Sequence, residues 1–171
     1  MSAEVVYNCG ILTLSDKGSR GERDDTSGAN LQKIMRAAGF KIMAYEVIPD
    51  KLELIADKLT TWADSRGLDI IITTGGTGVS PSDVTPEATA KVIDRELPGI
   101  SEAMRAASLE ITPHAMLSRG KSGIRGTCLI INLPGSKKAA EENIATVMAC
   151  LPHAIYKIKG GMADCGEHKA D

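Results

Sequence analysis

Two aspartates and one glycine-rich turn define the chemistry open to this sequence. Gly75, Gly76 and Gly78 follow the apolar run Ile70-Ile71-Ile72, and Asp83 lies just beyond them. Asp50 follows a second apolar run and Pro49. Glycine permits positive φ and close backbone approach. A turn of exposed N–H groups ahead of a helix N-terminus can cradle an anion. Two carboxylates beside it could hold Mg²⁺, a hard cation that takes oxygen ligands and bridges to substrate phosphates. Each feature also has a plainer reading. The glycines make a tight turn, Asp50 caps a helix before Lys51, and Asp83 is a turn residue after Pro81-Ser82. The pattern is neither the GxGxxG fingerprint nor a Walker loop, which would need Gly-Lys-Ser/Thr.

A second turn of the same kind is Leu133-Pro134-Gly135-Ser136-Lys137-Lys138-Ala139. It reads as another anion site, or as a helix capped by Ser136 with two solvated lysines. Ser15-Asp16 end the first apolar run. His114 and His153 follow prolines, His168 lies near the C-terminus, and none has a metal-ligand partner at the usual spacing. Cys9, Cys128, Cys150 and Cys165 form no CxxC pair. The first three fall in apolar patterns and are expected to be reduced core residues. No Ser-His-Asp arrangement emerges from the spacing.

The elements that must position these residues alternate. Residues 5–14 read as a buried strand. Leu31, Ile34, Met35 and Ala38 recur at helical spacing up to Gly39. A strand over 40–48 and an amphipathic helix over 51–66 follow, with Leu52, Ile55, Leu59 and Trp62 on one face. Residues 68–74 are apolar throughout, as in a parallel strand covered on both faces. Thr85-Pro86-Glu87 predicts a helix with Thr85 as N-cap, broken by Pro98-Gly99 and followed by another helix over about 100–108. Residues 111–123 are irregular. Residues 126–133 read as the last strand. Ala140, Ile144, Val147 and Leu151 then share a helix face. The expected fold is a three-layer α/β domain over 1–171, with a mainly parallel sheet between helices and a loose tail from about 160. In such a sheet, ligands bind beyond the carboxyl ends of the strands, at a switch in strand order. Ser15-Asp16, Asp50, the 75–83 segment and Asn132 to Ser136 all fall at that edge.

Composition limits the function classes. The 171 residues carry a net charge of −2, with no basic excess for a nucleic-acid backbone. Aromatics total 3%, too few for a base-stacking platform. No apolar run approaches the roughly 18 residues of a membrane span. Met1-Ser2-Ala3-Glu4 lacks a basic start and an apolar signal core, so a cytoplasmic location is expected.

Together these stretches resemble the molybdopterin adenylyltransferases of molybdenum-cofactor biosynthesis, including the related domains of plant and animal cofactor proteins. The matching stretches are LTLSD at 12–16, DDTSG at 24–28, IPD at 48–50, TGGTGVSPSDVTPEAT from Thr74, SLEITPHAMLSR at 108–119 and GIRGTCLIINLPGS at 123–136. The resemblance spans about residues 5–159. It implies Mg²⁺-dependent transfer of AMP from ATP to the terminal phosphate of molybdopterin, with release of pyrophosphate. It also implies a homotrimer and hand-off of the product to a molybdenum-insertion protein.

By the same resemblance, Asp50 and Asp83 match the essential acids. Ser15, Ser108, Ser118 and Asn132 match polar residues lining the cleft, and Gly75, Gly76, Thr77 and Gly78 match the loop. Asp16, Pro134, Gly135 and Ser136 join the expected substrate-binding set. Arg119 is added as a phosphate contact, because a guanidinium suits oxyanions. Two other readings remain: a non-catalytic molybdopterin carrier, and a nucleotide-using enzyme acting on another pterin or dinucleotide.

Overall fold

The computed structural model describes residues 5–162. A six-stranded sheet has the order β2-β1-β3-β6-β5-β4. Its strands are β1 (Asn8–Leu14), β2 (Lys41–Ile48), β3 (Ile70–Thr74), β4 (Arg95–Glu96), β5 (Ser122–Arg125) and β6 (Cys128–Leu133). The helices are α1 (Asp16–Ser19), α2 (Thr26–Ala37), α3 (Leu52–Ser65), α4 (Thr85–Val92), α5 (Pro98–Leu109), α6 (Lys137–Val147) and α7 (Leu151–Ile158).

β2, β1, β3 and β6 pair in parallel, and β5 and β4 extend the sheet antiparallel. β3 and β6 are buried along their whole length, as expected for strands covered on both faces. Alternate side chains of each strand feed two cores. Ile11, Ile70, Ile72, Leu129 and Ile131 pack on one face with Leu31, Met35 and Ile144. Leu12, Ile71 and Ile130 pack on the other with Ile55, Leu59 and Trp62. α4, which follows β3, adds Ala88 and Val92 to this second core, whereas α2, which follows β1, packs in the first, so the helices after neighbouring β1 and β3 lie on opposite faces. That divergence opens a crevice at the carboxyl ends of these strands, the place where an open α/β sheet binds ligands.

Four local expectations are corrected. First, the helix opening near Thr85 ends at Val92, and Pro98 starts α5 rather than breaking its predecessor. The amide of Asp94 donates to Ile124 O, which pulls Arg95–Glu96 into an edge strand too short to show periodicity. Second, Val84 is the N-cap of α4. The Thr85 hydroxyl donates instead to Gly75 O at 2.9 Å, stitching the glycine turn to the helix. Third, Gly126 and Thr127 are the two-residue turn between β5 and β6, and Gly126 has φ +55°. Fourth, Cys150 is exposed. The chain tightens into a 3₁₀ turn at Met148–Cys150, which breaks the helical period and rotates Cys150 off the inner face. Cys9 and Cys128 are buried as expected, and burial first of all pushes both thiols up to about 12. The tail beyond 162, with Cys165 and His168, lies outside the described residues.

Candidate active site

Gly75 and Gly76 determine the shape of the crevice floor. Gly75 has φ +101°, and a Cβ there would sit 2.3 Å from Leu14 O, so β1 and β3 end in near contact. Gly76 has φ +63°, and its Cβ would meet the Thr85 hydroxyl at 2.3 Å and Asp50 Oδ1 at 2.8 Å. Only glycine suits both positions. Among the described residues, the amides of Gly76, Thr77 and Gly78 donate to no protein acceptor. They are available to an anion.

Asp50 is held by its neighbour across the crevice. The Asp16 amide donates to Asp50 Oδ2 at 3.1 Å, and the Asp50 amide donates to Asp16 Oδ1 at 3.1 Å. Asp50 Oδ1 is left facing the glycine turn. Lys51, not Asp50, is the N-cap of α3, which removes the capping reading. Asp83 Oδ2 accepts from the Ser80 amide at 2.8 Å, so the turn role expected for this residue is real. It coexists with a place in the cleft, since Asp50 and Asp83 line the same cavity of about 390 Å³. Burial pushes the Asp50 carboxyl above its ordinary range; the Asp16 amide pulls it back in part, and the charges of Asp16 and Asp83 push it further up. A divalent cation between Asp50 and Asp83 would relieve that repulsion, so the pair fits magnesium. Among the described residues no group of three or more His, Cys, Asp or Glu is placed to bind a metal. Two carboxylates completed by substrate oxygens is the usual magnesium arrangement.

Hydroxyls tie the rim together. Thr74 donates to Pro134 O at 2.6 Å. With its one proton spent there, Thr74 must accept from Ser27, 3.0 Å away. This chain joins α2, β3 and the turn after β6. Ser15 caps α1 through Gly18 N at 3.0 Å, and Ser136 caps α6 through Ala139 N at 3.3 Å. Both, with Gly135, also line the carboxylate cleft.

The expected residues do not share one cavity. Ser108 and Ser118 line a second, more apolar cleft of about 200 Å³ with Ile111, Ala115 and Pro134. A shallow groove of about 330 Å³ joins the two, passing Gly76, Thr77, Gly78, Asp83, Ser118 and Pro134. His114 borders both the second cleft and the groove, a place its sequence context did not announce.

Three expected residues take other places. Asn132 is buried, with its amide donating to Thr73 Oγ1 at 3.0 Å and Thr89 Oγ1 at 2.9 Å while its oxygen accepts from Lys121 N. It braces β6 from within and lines none of these clefts. Asp16 meets Asp50 rather than the cavity. Arg119 donates to Gly78 O at 2.7 Å and Asp83 O at 2.6 Å and pairs with Glu87. These three bonds clamp the loop that carries Asp83 and leave two of its five N–H groups for another acceptor.

The segment 23–27, of which the sequence marked 24–28 only as a matching stretch with no site residue, supplies one wall of the carboxylate cleft. Asp25 accepts from the Thr13 hydroxyl at 2.6 Å, the Tyr45 hydroxyl at 2.7 Å and Gly28 N at 2.8 Å. Its signal was local: an Asp ahead of Thr-Ser-Gly is an N-cap, and α2 begins there.

Comparison with known proteins places the chain in a family. Residues 10–153 match the family described as "Probable molybdopterin binding domain". The molybdopterin adenylyltransferase of Helicobacter pylori (strain J99) is 39% identical over 160 residues, 92% of this chain and 91% of that protein. Gephyrin of Dictyostelium discoideum is 44% identical over 162 residues, but the chain spans only 22% of its length. The solved structure of the molybdopterin biosynthesis enzyme MoaB from Thermus thermophilus superposes with a TM-score of 0.85 at 49% identity, covering 90% of this chain and 97% of that one.

Proposed function

The chain belongs to this molybdopterin-binding domain family, and we propose that it transfers AMP from ATP to the terminal phosphate of molybdopterin. The observation that carries the reading is the convergence of Asp50, Asp83 and the Gly75–Gly78 turn at the β1–β3 crevice. A pure carrier of an anionic pterin gains nothing from two carboxylates that repel it.

The step is an in-line displacement. An oxygen of the pterin's terminal phosphate bonds to the α-phosphorus of ATP. The bond from that phosphorus to the α,β-bridging oxygen breaks, and its electrons leave with pyrophosphate. No covalent enzyme intermediate is needed, and positioning with charge neutralisation does most of the work. Magnesium on Asp50 and Asp83 would supply neutralisation of the charge developing on the leaving group. The free amides of Gly76, Thr77 and Gly78 hold phosphate oxygens. Arg119 keeps the loop in place by gripping Gly78 O and Asp83 O.

The polar cleft suits the triphosphate and its metal. The more apolar cleft beside Ser108 and Ser118 suits the flat pterin, and the groove past Asp83 lets the two substrates meet. The reading includes a homotrimer, a cytoplasmic setting and a molybdenum-insertion protein that receives the product. Apolar surface at Ile111, Met116 and Leu117, 57%, 71% and 49% exposed, supports subunit contact beside the second cleft. Among the described residues no helix is long and apolar enough to cross a membrane. The test is product mass: purified protein, molybdopterin, ATP and Mg²⁺ should yield adenylylated molybdopterin.

A further inference from the structure

The carboxylate cleft has a charge imbalance that the acids alone cannot resolve. Its described lining contains Asp24, Asp25, Asp50 and Asp83 but a single cationic side chain, Arg23. A triphosphate entering it meets four carboxylates. Magnesium on Asp50 and Asp83 would offset part of that field, and Asp25 is occupied by Thr13, Tyr45 and Gly28 N. The far end of the polyphosphate still needs a partner.

Arg23 sits on a short strap anchored on both sides. On one side Arg20 grips Glu22 through two bonds, at 2.7 and 3.0 Å, and the Glu22 amide donates to Lys17 O at 3.0 Å. On the other, Asp25 is fixed as above, and the Thr26 amide donates to Asp24 O at 3.1 Å. Backbone bonds thus tie the strap at both ends. The Arg23 guanidinium pairs with no described residue, whereas Arg20 is already neutralised by Glu22. An unpaired, always-charged fork on a braced loop over an acidic cleft is suited to phosphate oxygens, which it can bind bidentately.

We propose that Arg23 is a substrate-positioning residue that binds the β- and γ-phosphates of the nucleotide, and the same group once it departs as pyrophosphate. This rests on the adenylyl-transfer reading above. It assigns the triphosphate tail to the α1–α2 strap, so that the α-phosphorus lies inward, between the glycine turn and the two aspartates.

The test is calorimetry on the full chain in Mg²⁺, using three probes: α,β-methylene-ATP, AMP and pyrophosphate. Arg23→Ala should weaken the ATP analogue and pyrophosphate by about tenfold or more, and leave AMP unchanged. Arg23→Lys, which keeps the charge but not the fork, should recover part of the loss. A merely structural role would weaken AMP as well, and that result overturns the assignment. Unchanged binding of the ATP analogue and pyrophosphate also overturns it, leaving the terminal phosphate of the pterin as the group Arg23 would meet. Wild-type protein that binds neither the ATP analogue nor AMP overturns the nucleotide reading itself. Wild-type binding with no effect of Arg23→Ala overturns only the role of Arg23.

Discussion

Asp16 and Asp50 hold each other by exchange: each backbone amide donates to the other's carboxylate at 3.1 Å. The exchange ties the end of β1 to the end of β2 and turns one oxygen of Asp50 toward Gly76. Asp16 thus acts on the site through Asp50. Removing its side chain in Asp16→Ala should lower kcat by roughly 10–100-fold, because small misplacements near the chemistry are costly. Asp16→Asn keeps an acceptor for the Asp50 amide and should retain most activity. Steady-state kinetics of both variants check this, and equal loss in both would point to the charge of Asp16 instead.

Asp50 should be a burden on the metal-free fold. Its carboxyl is raised by burial first, then by the charges of Asp16 and Asp83. A carboxyl with a folded pKa above its unfolded value binds more protons when folded. Its contribution therefore favours folding at low pH and is lost as pH rises through the window between the two values. Asp50→Asn should raise Tm near neutral pH, with a smaller gain below the ordinary carboxylate range. Mg²⁺ should raise the Tm of the wild type and much less that of the variant. Thermal scans at two pH values, with and without Mg²⁺, test both statements.

Gly75 cannot be replaced without moving a strand end. A Cβ there would lie 2.3 Å from Leu14 O, and the backbone has φ +101°. Gly75→Ala should cost about 2 kcal/mol or more, a fall in Tm of roughly 4–8 °C. Gly21 also has positive φ but meets nothing within 4 Å, so Gly21→Ala carries only the backbone term and should cost less. Comparing the two melting curves separates contact from conformation.

Arg119 should behave as a clamp. Arg119→Ala frees the 78–83 segment and should lower kcat by roughly 10–100-fold. Arg119→Lys should restore little, because one ammonium cannot span Gly78 O and Asp83 O as the fork does. An effect confined to KM for ATP would instead return Arg119 to the direct phosphate contact expected from its residue type.

The parallel strands and their helices were legible because buried runs such as Ile70–Ile72 and the Ile55, Leu59, Trp62 stripe carry strong periodicity. The edge strand at Arg95–Glu96 carries none; its pairing with β5 is a tertiary fact. The glycine turn and both aspartates were legible from type and place after a strand. Asn132 was misplaced because position on a strand end does not reveal which way an amide points, and here it points into the core. Arg119 shows a use its residue type does not announce, because a guanidinium serves carbonyls as well as phosphates. Arg23 was missed, and DDTSG at 24–28 was matched without a site role, because a charged loop looks solvated until the fold brings it over the cleft.

The most direct measurement is AMP transfer by the purified protein with molybdopterin, ATP and Mg²⁺, read by product mass, beside Asp83→Asn. Adenylylated molybdopterin from the wild type, and a rate at least about 100-fold lower in the variant, is the predicted result. Tight molybdopterin binding by the wild type with no AMP transferred would contradict it and leave a carrier in place of an enzyme.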